Sequence, residues 1–449
     1  MPVPPGNQPP RHWEKVASAL AVVGIVAFAV LTEVRSCFLD TRHTDFTVYV
    51  RAAWAARAGH DMYAVVDEHA WHYCYPPTFA LLLTPLADPP PGEPRDGYPP
   101  FWLAAGVWVV VSTLAAIWAA HAMARAALPD AVPGTRRWWY ARTVPLIVCA
   151  GGVGFTISHG QVNTAVAALV AGAFAAGAAG RRFASGAWLA GAAALKITPG
   201  LLALYPLVRG DRRALAGMVA GAVVLLLLFP AAFFGLAGAV AENRKVFDQV
   251  LTPGTTGGGD QTRGVELTDL TATDSSSFQV VIHNWRNPDR WSRPPDAPHS
   301  TRLAHWAISG AMLAATLLVI RRRRDAGPAD QLVMLGSLVL VMLLMSPVSH
   351  NHHFAMALPA VCGLWLRGLA RRPGEVFGGW RATVPLGVWG VGVGLLLFPG
   401  EVFLRLREFG LGTAVTVVLW ASGLAAVWRK PAAVAAEPAR ELAALPRAA

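Results

Sequence analysis

The feature that most constrains this chain is a series of apolar stretches closed by arginine runs. Stretches of about 17 to 25 apolar residues recur along its length, each long enough to cross a hydrocarbon core roughly 30 Å thick. At their ends stand Arg136-Arg137, Arg181-Arg182, the four arginines 321–324 and Arg371-Arg372. A water-soluble fold has no use for so many wholly apolar helices. Charged residues are 14% of the 449 and hydrophobic ones 54%, where a soluble domain carries about 25% charged. The chain therefore reads as an all-α polytopic membrane protein.

The net charge of +11 does not point to a nucleic-acid partner. The arginines close apolar segments, as the positive-inside rule requires. A nucleic-acid surface would interleave basic and aromatic residues on a soluble module. Spans are expected at 16–34, 101–128, 144–157, 162–180, 215–236, 303–320, 332–348, 354–369, 384–398 and 411–428. Segment 183–208 is basic on both flanks, so it must enter and return as a short hairpin, bending near Lys196 and Pro199. Counting that hairpin as two helices gives about twelve membrane helices.

With the arginine runs in the cytoplasm, both termini are cytoplasmic and loops 35–100 and 237–301 lie outside. This division gives a Pro-rich disordered N-terminus over 1–15, one transmembrane domain over 16–428, and a cytoplasmic tail over 429–449. The first apolar run reads as a retained signal anchor in the plasma (inner) membrane. No internal repeat marks the inverted halves common in transporters. Cys149 and Cys362 read as packing residues. Cys37 and Cys74 share the first outer loop, and a disulfide between them is open if that loop faces an oxidising space.

Chemistry-bearing residues gather at the outer ends of the spans. The first outer loop places Asp45, Phe46 and Tyr49 in one amphipathic run. Tyr75-Pro76-Pro77 leads into a second, with proline at the helix start. Two such helices suggest a platform lying in the membrane interface. Asp45 stands where a helix N-cap is expected. It could equally be a general base taking the proton of an acceptor hydroxyl, and the two roles are compatible. Asp40 competes for the second role.

Lys196 interrupts an apolar run. A central lysine costs about 2.5 to 3.5 kcal/mol on the insertion scale, so it either snorkels to the interface or serves a function. His350, His352 and His353 follow an outer helix end. They lack metal-site spacing and a carboxylate near in sequence, and could be plain interfacial polarity. Anion binding, holding a lipid-linked phosphate as it leaves, is the favoured reading. Gln161 and Asn163 mark an outer turn, where polar helix caps are the simpler explanation. Residues 275–279 carry a weaker polar signal.

Together these residues resemble glycosyltransferase family 87. Asp45-Phe46 with Tyr49, and Tyr75-Pro76-Pro77 leading to Pro85-Leu86, are similar to that family's first outer loop. Gly160-Gln161-Val162-Asn163, Leu195-Lys196-Ile197-Thr198-Pro199, and Ser346-Pro347-Val348-Ser349 with His352-His353 follow in the family's order. The resemblance implies a GT-C fold and transfer of a hexose, most often mannose, from a polyprenyl-phosphate donor to a lipid or glycan acceptor at the outer face. It implies Asp45 as base and Lys196, His350, His352, His353, Gln161 and Asn163 as donor contacts. Tyr49 and Tyr75 would face the acceptor or the interface. Membrane lipids are the other partners, and neither a metal nor a cofactor is implied. Two departures stand out. His350-Asn351 occupy the place where the family often has Trp and an acidic residue, and loop 252–300 does not align. The rival reading is a transporter or flippase of lipid-linked sugars.

Overall fold

The computed structural model describes residues 4–38, 44–256, 263–372 and 374–428. Asp40 and the tail 429–449 lie outside them. Every regular element among the described residues is a helix, and loops with two isolated β-bridges join them. Seven of their helices are long and apolar enough to cross a bilayer, or eight if one bent pair is a single span. The expectation of about twelve is corrected on that point. Asn163–Ala178 and Trp380–Leu395 have 16 residues each and Arg182–Leu195 has 14. At about 1.5 Å per residue, helices that short fall below the hydrocarbon thickness.

Proline and glycine set the breaks. Arg136–Val148 and Ala150–Ser158 meet at 61°. Pro145 supplies no N–H for the carbonyl four residues back. Gly152 then lets this second half press on the 351–357 segment, since a Cβ there would stand 2.8 Å from the Phe354 carbonyl carbon. The 45-residue stretch Arg212–Thr256 is interrupted at Gly235 (φ 71°, ψ 168°), close to the expected span end at 236.

Segment 183–208 does turn back on itself. The helix Arg182–Leu195 ends where Lys196 becomes extended (φ −148°, ψ 132°), and Thr198–Ala203 is a 3-10 turn. The two ends of the segment meet, with Arg182 Nη1 2.9 Å from Asp211 Oδ2. Lys196 therefore sits at the tip. Small residues permit the tight return: a Cβ on Gly186 would fall 1.8 Å from Ala214 O, and one on Gly217 1.9 Å from Phe183 O.

The loop after the first span differs from the expected interfacial platform. Residues 46–55 of the helix Phe46–Ala58 are buried on every side. Phe46 stacks on Trp108 at 5.5 Å, and Tyr49 meets Phe79 edge-on at 4.9 Å. Arg51 is neutralised inside, 3.0 Å from Glu68 and 3.8 Å from Asp88. A helix apolar enough to be enclosed and paired where it is charged packs as core, not as a floating amphipath. Pro76 and Pro77 open Pro77–Leu82 as expected.

His12–Phe38 leaves most of its apolar side chains exposed, as a lipid-facing span would. It is pinned near its start by Glu14 Oε1, 2.7 Å from Arg136 Nη2 and accepting from Tyr140 OH at 2.8 Å. Cys37 and Cys74 are not bridged. Cys37 Sγ donates to Glu33 Oε1 (3.2 Å) and Cys74 Sγ to His72 O (3.6 Å).

Candidate active site

Six chain segments converge where the Phe46–Ala58 helix begins: 44–49, Tyr75, 156–163, Lys196, 274–276 and 349–353. The turn 159–161 lies directly against it. Asp45 N–H donates to His159 O at 2.8 Å, and Trp108 Nε1 donates to Gly160 O at 2.6 Å. Gly160 is needed at this contact. Its φ is +66°, and a Cβ would stand 2.5 Å from Thr44 Oγ1 and 2.6 Å from Phe46 Cβ.

Asp45 does not cap the helix. Its backbone is already helical (φ −70°, ψ −11°) and its side chain makes no cap bond. Thr44 Oγ1 instead accepts the Phe46 N–H at 3.2 Å. The Asp45 carboxylate turns inward and accepts from Gln161 Nε2 at 2.5 Å. Only 8% of the residue is exposed. Burial pushes its pKa above the ordinary carboxylate range, and the Gln161 hydrogen bond with the nearby His159 and His350 offsets this only in part.

Gln161 is held in turn by two phenols. Its Oε1 accepts from Tyr49 OH at 2.8 Å and from Tyr75 OH at 3.2 Å. The two phenolic oxygens lie 3.0 Å apart. Tyr49 is thus packed inward and orients Gln161; it presents no free face to an acceptor.

Lys196 reaches the same place from the hairpin tip. Its Nζ donates to Asn163 Oδ1 at 2.9 Å and lies 5.7 Å from the centre of the Tyr75 ring. With 9% exposure it does not snorkel. Asn163 Nδ2 donates onward to His352 O at 3.1 Å, and Thr156 Oγ1 donates to the same carbonyl at 2.5 Å.

The imidazoles form the remaining wall. His352 lies 4.5 Å from His353 and 5.4 Å from His350, centre to centre, with His159 at 6.2 Å. The Nδ1 of His353 is buried without a hydrogen-bond partner. His350 Nδ1 is 2.9 Å from Asp274 Oδ1. The two segments at this contact are tied by Ser276 N–H to Ser349 O (2.8 Å) and Ser349 N–H to Ser275 Oγ (3.2 Å). Burial alone would lower the pKa of His350, but the Asp274 carboxylate outweighs it and the ring stays protonated to higher pH than usual. Asp274, despite its own burial, is held below the usual carboxylate range by His350.

Asp45, Gln161, Asn163, Lys196, His350, His352, His353, Tyr49 and Tyr75 therefore occupy one cluster. His159, Thr156 and Asp274 belong to it and were not singled out in the sequence. His159 stands two residues before Gln161 in the same outer turn. Asp274 lies 76 residues from its partner, in the loop that does not align, and only residues 275–279 beside it carried a signal. Among the described residues no group of three His, Cys, Asp or Glu is arranged to hold a metal ion.

Residues 73–347, more than half of the chain, match glycosyltransferase family 87. The chain belongs to that family. The matched region starts after Asp45 and ends before His350, so the roles of those two rest on the geometry above. A polyprenol-phosphate-mannose-dependent alpha-(1-2)-phosphatidylinositol mannoside mannosyltransferase of Mycobacterium tuberculosis is 28% identical over 317 residues, covering 67% of this chain. The aligned part spans 63% of that relative's length. Two solved structures of ArnT from Cupriavidus metallidurans are also similar. The one bound to undecaprenyl phosphate is 16% identical with a TM-score of 0.39, covering 91% of this chain and 77% of that one. The apo form is 18% identical with a TM-score of 0.39, covering 92% and 78%.

Proposed function

We propose that this family 87 member transfers a hexose, most simply mannose, from a polyprenyl-phosphate donor to a hydroxyl of a lipid or glycan acceptor at the outer face of the plasma membrane. The observation that carries this reading is the inward Asp45 side chain: buried, freed from capping, aimed by Gln161, and sharing its cluster with Lys196 and the Asp274-paired His350. The named activity of the mycobacterial relative supports the donor and sugar class.

The reaction is a single displacement. Asp45 takes the proton of the acceptor hydroxyl as its oxygen bonds to the anomeric carbon. The bond from that carbon to the phosphate oxygen breaks, and its electron pair leaves with polyprenyl phosphate. The phosphate gains charge as it departs. Lys196 and His350 are the groups suited to stabilise it, in a site where burial strengthens every charge interaction. Asn163 positions Lys196, and Asp274 favours the protonated form of His350. The arginine runs support an outward-facing site, because they place the opposite helix ends in the cytoplasm.

The test is to incubate the purified protein with polyprenyl-phosphate-mannose and a membrane lipid extract, then analyse products by mass spectrometry. A mannosylated lipid formed with release of polyprenyl phosphate is expected. Consumption of no donor, across acceptors and with folded protein, would remove the reading.

A further inference from the structure

A second polar concavity lies at the other end of the helix that follows the histidines. The stretch Asn351–Ala370 has 20 residues, a 3-10 turn to Ala357 and an α-helix from Leu358; at about 2.0 and 1.5 Å per residue it spans roughly the thickness of a hydrocarbon core. His352 stands at one end and Arg371 just beyond the other. There a cavity of about 590 Å³ opens between the ends of Leu358–Ala370, Trp380–Leu395 and Leu411–Trp428.

Four arginines line it, Arg367, Arg371, Arg372 and Arg381, and no carboxylate does. Arg367 is spent, because Asp330 and the Ala426 carbonyl bind it. Arg372 pairs with Glu375 at 3.1 Å, but both are half exposed, so that pair is weak. No ion pair engages Arg371 or Arg381 among the described residues. Arg381 lies 5.4 Å from the ring centre of Trp380, which is 68% exposed.

The first turn of Trp380–Leu395 closes the cavity, so its positive dipole end adds to the arginines. That turn comes close because Gly368 and Gly378 touch, a Cβ on Gly368 falling 2.7 Å from Gly378 O. Leu364, Val384 and Pro385 supply apolar wall beside the charged rim.

We propose that this cavity binds the phosphate ester of an anionic phospholipid, in the leaflet opposite the histidine cluster. Guanidinium forks match phosphate oxygens two at a time. An exposed tryptophan beside them sits at headgroup level, and the apolar wall takes the upper acyl chain. Basic pockets between membrane helices recognise lipid headgroups by this chemistry. The site is separate from the transfer chemistry and stands whether or not the proposed donor is correct.

The test is native mass spectrometry of the full-length detergent-solubilised protein with phosphatidylglycerol, phosphatidylcholine or inorganic phosphate. Phosphatidylglycerol adducts are expected on the wild type. They should fall at least tenfold in R371A/R381A, recover only in part in R371K/R381K, which keeps the charge but loses the fork, and persist in the control R405A. Phosphatidylcholine should give none. Equal phosphatidylglycerol retention by wild type and R371A/R381A would overturn the proposal. So would equal retention of phosphatidylcholine. Phosphate retained without lipid, with the same arginine dependence, would overturn the lipid as its source.

Discussion

Replacing Asp45 with asparagine separates chemistry from structure unusually well. The side chain keeps its shape, and an asparagine Oδ1 can still accept from Gln161 Nε2, now at 2.5 Å from the carboxylate. No helix cap is lost, because Asp45 makes none. Burial disfavours the ionised carboxylate, as its raised pKa records, so a neutral amide costs little stability. The melting temperature should move by only a few degrees, as for a change within about 1 kcal/mol. Transfer should fall by roughly 10² to 10⁴, the usual effect of losing general-base help. Donor affinity should survive. The base works only when ionised, and its pKa is raised, so wild-type activity should rise with pH through a limb above the ordinary carboxylate range. The asparagine variant should lack that limb. The assay is a pH series of kcat/KM with polyprenyl-phosphate-mannose beside a donor-binding isotherm. Transfer within a factor of a few of wild type, in a folded Asp45→Asn protein, would refute Asp45 as the base.

Other outcomes follow from the same cluster. Lys196→Met removes an ammonium bonded to Asn163; a charge-assisted hydrogen bond worth about 1.5 to 3 kcal/mol predicts a loss of donor affinity on the order of tenfold to a hundredfold in the isotherm. Asp274→Asn takes away the carboxylate that raises His350, so the alkaline fall in transfer should move to lower pH, and an unmoved limb would separate His350 from the leaving phosphate. Gly160→Ala forces a Cβ to 2.5 Å from Thr44 Oγ1 at φ +66°, and should destabilise the fold by at least about 1 kcal/mol, read as a lowered melting temperature. For orientation, Thr271→Cys should label from outside intact cells and Arg322→Cys should not. The reverse pattern would invert the topology.

Much of the site was legible because membrane chemistry makes polar residues conspicuous. Lys196 stood out against an apolar run, where its insertion cost demands a reason. The hairpin followed from arginines on both flanks, and Arg182 with Asp211 closes it. Asp45 was visible but ambiguous, since aspartate before a helix is as good a cap as a base. The inward rotation that decides the matter comes from the 159–161 turn, whose His159 carbonyl takes the Asp45 N–H. The buried nature of Phe46–Ala58 was hidden for a related reason. Its Arg51 looks like a polar face until Glu68 and Asp88 are seen beside it.

By itself the sequence determined the solvent and the material: an apolar chain with arginine-capped segments must bury its backbone bonds in helices within lipid. It also named most of the polar residues, because lipid leaves them few places to hide. What only the tertiary structure decided is which of them meet. Asp45 and Gln161 are 116 residues apart, and Lys196 and Asn163 are 33 apart. Asp274 reaches His350 across 76 residues. Such pairings depend on helix breaks and on glycines that let segments touch, and hydropathy carries no trace of them. Helix length was likewise a tertiary decision. The break between Val148 and Ala150, just past Pro145, divides a run read from the sequence as one span over 144–157, because a freed backbone group needs a neighbour only the folded bundle supplies.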